Sequence, residues 1–427
     1  MDTKTATSET DSIPFLTLRR SQSHQYVTKK PFMSRAPKLP GGGPKMKFSL
    51  IYEAQIAAPT RESEYQLYQD IVEQCVLAEK LGFNGVWAVE HTALTQYAHM
   101  SAPETFLAFI AGKTTTLEIG HGVICLPPAM NHPVKVAQRI ATLDILSKGR
   151  VNFGVGKGGT QQESGTFGYD INDLPPQIDE MMYLIPKILK DGKVEHNGKY
   201  VQIPARPVHP SVHQTPHPKM YMACTRNDSL QTAGGRGIGA LVMGFAGPEE
   251  VAEKNKVYRA AFANRKLEDQ VGFRPNNHLS ALCATVVLSD RERARKLGLR
   301  GQRFFAESIM HWYGAGPAPV LDMAEDADSL DNALRTKKEN IIAYLGEQKI
   351  SGASEMNDLM GVANDAYGNV EDCIRHVQKL IDAGADEIMF LNQMGGIPQD
   401  AMIETIRNIG EHVIPHFRAQ DKLRQVA

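Results

Sequence analysis

From Phe48 onward the hydrophobic positions fall into blocks of two alternating kinds. The first are short runs that are apolar on both faces: Phe48–Tyr52, Gly85–Val89, Ile119–Cys125, Val151–Val155, Met220–Ala223, Ala240–Gly244, Leu282–Leu288 and Glu387–Leu391. Continuous apolar character is what a parallel strand covered on both sides requires. The second kind is one-sided at helical spacing. Leu67, Ile71, Cys75 and Ala78 share a stripe after the polar start at Thr60, and Met402, Ile406, Ile409 and Val413 do so near the end. Asn369 is placed to cap a helix over Val370–Ala383, with Cys373, Val377, Leu380 and Gly384 along its stripe. Eight such strands, each followed by helical material, predict a mixed α/β fold, a (β/α)8 TIM barrel with insertions. A doubly wound sheet shares the alternation, but the strand count and the late return of an apolar strand before a final helix favour the barrel.

Two stretches interrupt the rhythm. The connection from Ser289 to Asn369 is too long for one barrel helix and predicts extra helices at Arg291–Tyr313 and Ala333–Leu345. Connections of that size serve as lids or binding segments. Asp191–Lys219 carries five prolines and a hairpin signal at Asn197-Gly198. The barrel therefore spans 46–417, with an insertion at about 289–369. Residues 1–45 are rich in Ser, Thr, Pro, Lys and Arg, with no acid between Asp11 and Glu53. They read as a flexible extension, with a transit peptide or a biosynthetic start at Met46 as competing readings. Residues 418–427 read as a short basic tail.

Charge narrows the function classes. Lys and Arg number 47 against 48 Asp and Glu, for a net charge of -1, which gives no electrostatic case for nucleic acid or a membrane surface. No apolar run reaches the roughly twenty residues of a membrane-spanning helix. The five cysteines are scattered without a Cys-x-x-Cys pair, which argues against a disulfide framework or a zinc site and for a reducing, cytoplasmic setting.

In a barrel, functional groups project from the strand C-termini. His91, in Glu90-His91-Thr92 after the second strand, can donate a hydrogen bond or shuttle a proton near neutral pH. Glu90 reads as a carboxylate that fixes neighbouring backbone. After the fourth strand, Gly154-Val155-Gly156-Lys157-Gly158-Gly159 matches Gly-x-Gly-x-x-Gly, but no apolar helix begins at once, so the dinucleotide reading fails. A turn that lets a planar ligand approach the backbone, with Lys157 offering charge, competes with a plain Gly-rich turn. After the fifth strand, Cys224-Thr225-Arg226-Asn227-Asp228-Ser229 opens a helix, and its hydroxyls and Arg226 suit an anion. Simple capping explains the polar residues there but not Arg226, and Cys224 has no base beside it. His209, His213 and His217 recur every four residues, but the prolines among them forbid a helical metal face, and no metal is expected.

These motifs converge on a family. The run Gly82-Phe83-Asn84-Gly85-Val86-Trp87-Ala88-Val89-Glu90-His91 resembles the second-strand motif of the bacterial luciferase-like flavin monooxygenases. So does His132-Pro133-Val134 followed by Ala141-Thr142-Leu143-Asp144-Ile145-Leu146-Ser147-Lys148-Gly149-Arg150 and on to Gly158. The resemblance covers about Met46 to Phe417. It implies a barrel that binds FMN as a reduced cosubstrate, reacts it with O2 through a flavin 4a-hydroperoxide, and oxygenates a small organic substrate. It also implies an NAD(P)H:flavin reductase as supplier and a homodimer. By the same resemblance, His91 is the active-site histidine, Gly156 lies under the isoalloxazine, and Lys157 stands where the luciferases carry a phosphate arginine. Gly158 continues that turn and Glu90 heads the histidine motif. Cys224 and Thr225 take the positions of a Glu-Ser pair, and Ser229 lies near a further phosphate contact. Thr92 replaces a second histidine, Cys224 a glutamate, and no second phosphate arginine stands near Pro175, a place Arg226 could fill. A deazaflavin- or flavin-dependent dehydrogenase of the same fold and a non-catalytic flavin-binding subunit are the competing functions.

Overall fold

Along the chain, β1 (Lys47–Tyr52) is followed by α1 (Arg61–Lys80), β2 (Gly85–Ala88) by α2 (Pro103–Lys113), and β3 (Glu118–Cys125) by α3 (Pro133–Leu146). Next come β4 (Val151–Gly156), the short α4 (Gln161–Thr166) and α5 (Leu174–Asp191). A side hairpin, β5 (Lys193–Asn197) and β6 (Gln202–Pro207), precedes β7 (Lys219–Cys224), α6 (Asn227–Gly235), β8 (Gly239–Val242) and α7 (Pro248–Ala263). The last part holds β9 (Leu279–Ala284), β10 (Val286–Val287), α8 (Arg291–Gly314), β11 (Tyr367–Gly368) and α9 (Val370–Asp382). It ends with β12 (Glu387–Leu391), α10 (Gln399–Asn408) and α11 (Ile414–Val426). The computed structural model describes residues 46–243, 247–314, 318–319 and 366–426. Residues 1–45, Gly244 and the helix expected at Ala333–Leu345 lie outside them.

Eight strands close into a parallel barrel in the order β1-β12-β9-β8-β7-β4-β3-β2, the fold the hydrophobic pattern predicts. The stripes point inward as read: Ile71, Cys75 and Ala78 on α1 and Cys373, Val377 and Leu380 on α9 are fully buried. Asn369 caps α9 by accepting from the Asp372 N–H. None of the five cysteines forms a disulfide, and all are buried. No helix among the described residues is long and apolar enough to cross a membrane.

Two boundaries differ from the reading of the sequence. The expected strand Leu282–Leu288 is two. The barrel ladder stops at Ala284, the Thr285 N–H makes a last bond to Leu391 O, and β10 pairs instead with β11. Every residue around the break is buried, so hydrophobicity cannot mark it. The stretch read as a basic tail continues as α11 to Val426.

The N-terminal end of the barrel is plugged by a polar cluster. Glu387 accepts from Ser49 Oγ (2.5 Å), Trp87 Nε1 (2.9 Å), His278 Nε2 (3.0 Å) and Ser280 Oγ (2.9 Å). The Trp87 indole lies across Gly120, where an added Cβ would come within 2.3 Å of the ring, and meets Tyr221 edge-on at 5.0 Å. With this end filled, the cavity among the described residues lies at the other, where the strand C-termini open.

Candidate active site

A cavity of about 470 Å³ sits at that C-terminal end, within the size range of small-molecule sites. Ile51, Val155, Met222, Leu282 and Met389 line its inner wall, and Lys157, Arg226, Arg236, Asp179 and Asp228 line it as well. All nine residues singled out from the sequence meet there: Glu90, His91, Gly156, Lys157, Gly158, Cys224, Thr225, Arg226 and Ser229.

His91 is held from one side. Its Nδ1 lies 2.9 Å from Glu163 Oε1, and the same oxygen accepts from the Thr92 N–H. The other oxygen, Oε2, accepts from Thr160 Oγ1 and from the backbone N–H groups of Thr160 and Gly159. Burial raises the Glu163 carboxyl, but the His91 bond and charge and the Thr160 hydroxyl outweigh it, so the group stays below its ordinary value. An ionised Glu163 fixes the His91 proton on Nδ1 and leaves Nε2 free to face Glu53, whose Oε2 is 3.7 Å away. Burial lowers the imidazole, yet the bond to Glu163 and the charges of Glu53 and Glu163 prevail and raise its pKa. The ring also packs edge-on against Tyr97 at 5.2 Å.

Glu90 points the other way. Its carboxylate accepts from Cys125 N (2.7 Å) and Asn131 Nδ2 (3.0 Å), which ties the end of β2 to the end of β3 and sets the backbone from which His91 projects. On β4, Gly156 is a steric necessity, because a Cβ there would lie 2.3 Å from Val123 Cγ2. Gly158 has φ +73°, a conformation glycine adopts without cost. A Cβ at Gly159 would meet the Tyr313 ring at 2.4 Å.

Across the opening, α6 begins at the end of β7. Arg226 pairs with Asp228 at 3.1 Å, Asp228 Oδ1 accepts from the Ser229 N–H, and Ser229 Oγ donates to Arg226 O. Lys157 sits close enough that burial and Arg226 together lower its pKa. Cys224 is buried, its thiol donating to Met222 O and Ser229 O, and burial pushes it up to about 12. It packs rather than attacks. His217 is equally committed: Nδ1 donates to Pro218 O and Nε2 accepts from the Phe273 N–H.

Several cavity residues escape the sequence reading. Arg236, just after α6, supplies a second arginine beside the Pro175 wall, paired with Asp179 of α5 at 2.6 Å. Glu53 follows β1 directly, and no motif in the sequence marks it. Glu163 carries a legible signal, since Thr160-x-x-Glu163 is a capping box and forms as one. The residues present suit a flavin. A glycine-lined turn lets a planar ring approach, the inner wall is apolar, and three cations against two carboxylates border the opening.

The sequence profile of the luciferase-like monooxygenase family matches residues 46–387. The oxygenase component of a flavin-dependent trigonelline monooxygenase from Acinetobacter baylyi is 30% identical over 213 residues, 49% of this chain and 57% of that protein. The chain spans about half the length of the first curated relatives it matches. The alkanal monooxygenase alpha chain of Photorhabdus laumondii is 21% identical over 380 residues, 88% of this chain and 98% of the other. Among solved structures, the oxygenating constituent of 3,6-diketocamphane monooxygenase from Pseudomonas putida, in complex with FMN, superposes with a TM-score of 0.61 at 17% identity, covering 87% of this chain and 98% of that one. A coenzyme F420-dependent tetrahydromethanopterin reductase from Methanopyrus kandleri does so with 0.61 at 21%, covering 87% and 99%. At these identities the structural likeness speaks to the fold alone.

Proposed function

We propose, from the premise that this chain belongs to the luciferase-like monooxygenase family, that it uses reduced FMN and O2 to oxygenate a small organic molecule. The observation that carries this reading is the convergence of His91, the Gly156–Gly158 turn and a cationic border on one cavity. Bound there, reduced flavin supplies the reaction with oxygen. The chain's own residues bind, orient and keep water away. Lys157, Thr225, Arg226 and Ser229 would hold the phosphate, with Arg236 adding charge. Gly156 and Gly158 would let a planar ring approach the backbone, and Cys224 packs into the β7–α6 turn that carries Thr225. Glu90 braces the strand ends, and His91 Nε2 exchanges a proton at the reacting edge. The apolar inner wall limits proton leakage.

The name of the Acinetobacter relative, an oxygenase component, supports an NAD(P)H:flavin reductase as partner. Exposed Phe109 on α2 and Leu146 on α3 support a homodimer, and cysteines without disulfides suit the cytoplasm. The test is a substrate screen with FMN, a flavin reductase and NADH, following oxygen uptake and product mass. Hydride transfer with a deazaflavin and no oxygen uptake would assign the chain to the dehydrogenase branch instead.

Two substitutions test the phosphate site. Lys157→Ala is expected to weaken FMN binding about tenfold, the size of one charge-assisted contact near a surface. Thr225→Ala should cost about threefold. Flavin fluorescence titration reads both, and unaltered affinity in the two variants places the phosphate elsewhere. Asp228→Asn should act in the opposite direction. Asp228 now neutralises Arg226 and accepts from the Ser229 N–H, so removing its charge releases the guanidinium for an anion and tightens FMN binding about threefold.

A further inference from the structure

The wall facing His91 Nε2 holds a carboxyl group that the proposed chemistry has not used. Glu53 is 6% exposed, its Oε2 has no hydrogen-bond partner among the described residues, and it lies 3.7 Å from the imidazole. An orphaned buried carboxylate oxygen is costly and calls for an explanation. The backbone adds a second observation. Ala54 directly after Glu53 has φ +56°, and Ala93 two residues after His91 has φ +61°. Left-handed alanines cost free energy, and such strain collects where the surroundings hold functional groups in place. Both loops are pinned, since the His99 N–H donates to Ala54 O and the His91 N–H to Met100 O.

We propose that Glu53 is the proton-relay partner of His91, trading one proton with Nε2 while Glu163 holds the other side of the ring. In the transfer, the O–H bond of Glu53 breaks and an N–H bond forms at Nε2. The carboxyl becomes carboxylate, the imidazole becomes imidazolium, and the net charge of the pair is unchanged. The imidazolium then gives that proton to the atom bound beside it, or the sequence runs in reverse. The 3.7 Å gap exceeds a hydrogen bond, and such contacts shorten when a site fills. The groups facing Glu53 are His91 and, farther off, Glu163, Tyr97 and Tyr313. Burial raises its carboxyl to about 7, with His91 opposing and Glu163 reinforcing. It therefore holds its proton in the pH range where the imidazole also titrates.

This relay deepens the monooxygenase reading, but its first test needs no flavin. With 15N-labelled histidine, the His91 signals (identified by their loss in His91→Gln) are followed against pH in the wild-type protein, Glu53→Gln and Glu53→Asp. A carboxylate at position 53 stabilises the imidazolium, so its removal in Glu53→Gln should lower the His91 midpoint by about one pH unit and leave a single step. Glu53→Asp should keep the coupled titration. A His91 curve in Glu53→Gln that superimposes on wild type overturns the relay, whether or not flavin turnover is found. Where turnover is found, Glu53→Gln should lower it about tenfold at pH 7 and remove the limb of the pH profile near neutrality. FMN affinity should stay within about twofold. An unaltered pH profile likewise overturns the relay.

Discussion

Replacing His91 with Ala is expected to lower substrate-dependent oxygen uptake by roughly two to three orders of magnitude, with FMN affinity changed less than about threefold. The asymmetry follows from where the ring is held. Nδ1 is committed to Glu163 and the ring edge to Tyr97, so the one free nitrogen faces the cavity wall. The cations that would hold a phosphate stand on β7–α6 and the β4 turn instead. Truncation therefore removes a proton-handling group without touching the anchoring charges. An oxygen electrode with a regenerating reductase measures the first effect, and fluorescence titration the second. A variant that turns over at the wild-type rate removes His91 from the mechanism, and one that loses FMN assigns the ring to binding.

The second large effect concerns stability. Glu387→Ala is expected to destabilise the fold by about 3 kcal/mol, the scale for removing one partner from a buried charged cluster. Ser49, Trp87, His278 and Ser280 all donate to this carboxylate, and the truncation orphans each of them at once. Acid should partly mimic the substitution. Burial raises the Glu387 carboxyl, but the His278 bond and charge, Lys47 and the Ser49 hydroxyl bring it down to about 2. A carboxyl depressed on folding stabilises the native state above its unfolded pKa and loses that contribution as pH falls. From about pH 4.5 to 2 the wild-type protein should therefore lose roughly 3 kcal/mol through this one group. Denaturant melts across that range measure the slope, and Glu387→Ala should flatten it. A parallel slope in the variant would falsify the assignment.

The barrel is legible in the sequence because parallel strands buried on both faces must be written in unbroken apolar runs, and all eight of those runs contribute to it. The break inside Leu282–Leu288 is not legible, because residues on both sides of Thr285 are buried and only their pairing partners differ. At the site, His91 and the Gly156–Gly158 turn can be read because they directly follow strands. Their supports come from far along the chain. Glu163 lies 72 residues from His91 in a six-residue helix too polar and short to show a stripe, and only its capping box marks it. Arg236 reaches the opening through Asp179, 57 residues earlier, a neighbour no local pattern supplies. Glu387 reads as a charged residue heading an apolar strand. Its meaning appears only when barrel closure brings Ser49 to it from 338 positions away.

The plug around Glu387 also imposes traffic rules. Among the described residues the base is stoppered, so two guests that enter from the open end would not overtake each other inside it. If the larger guest is the proposed flavin, tethered by its charged end near the neck, it would be seated before the smaller one arrives. Under the proposed reading, a small guest that enters first would block the way, so a surplus of the molecule to be oxygenated is expected to slow turnover.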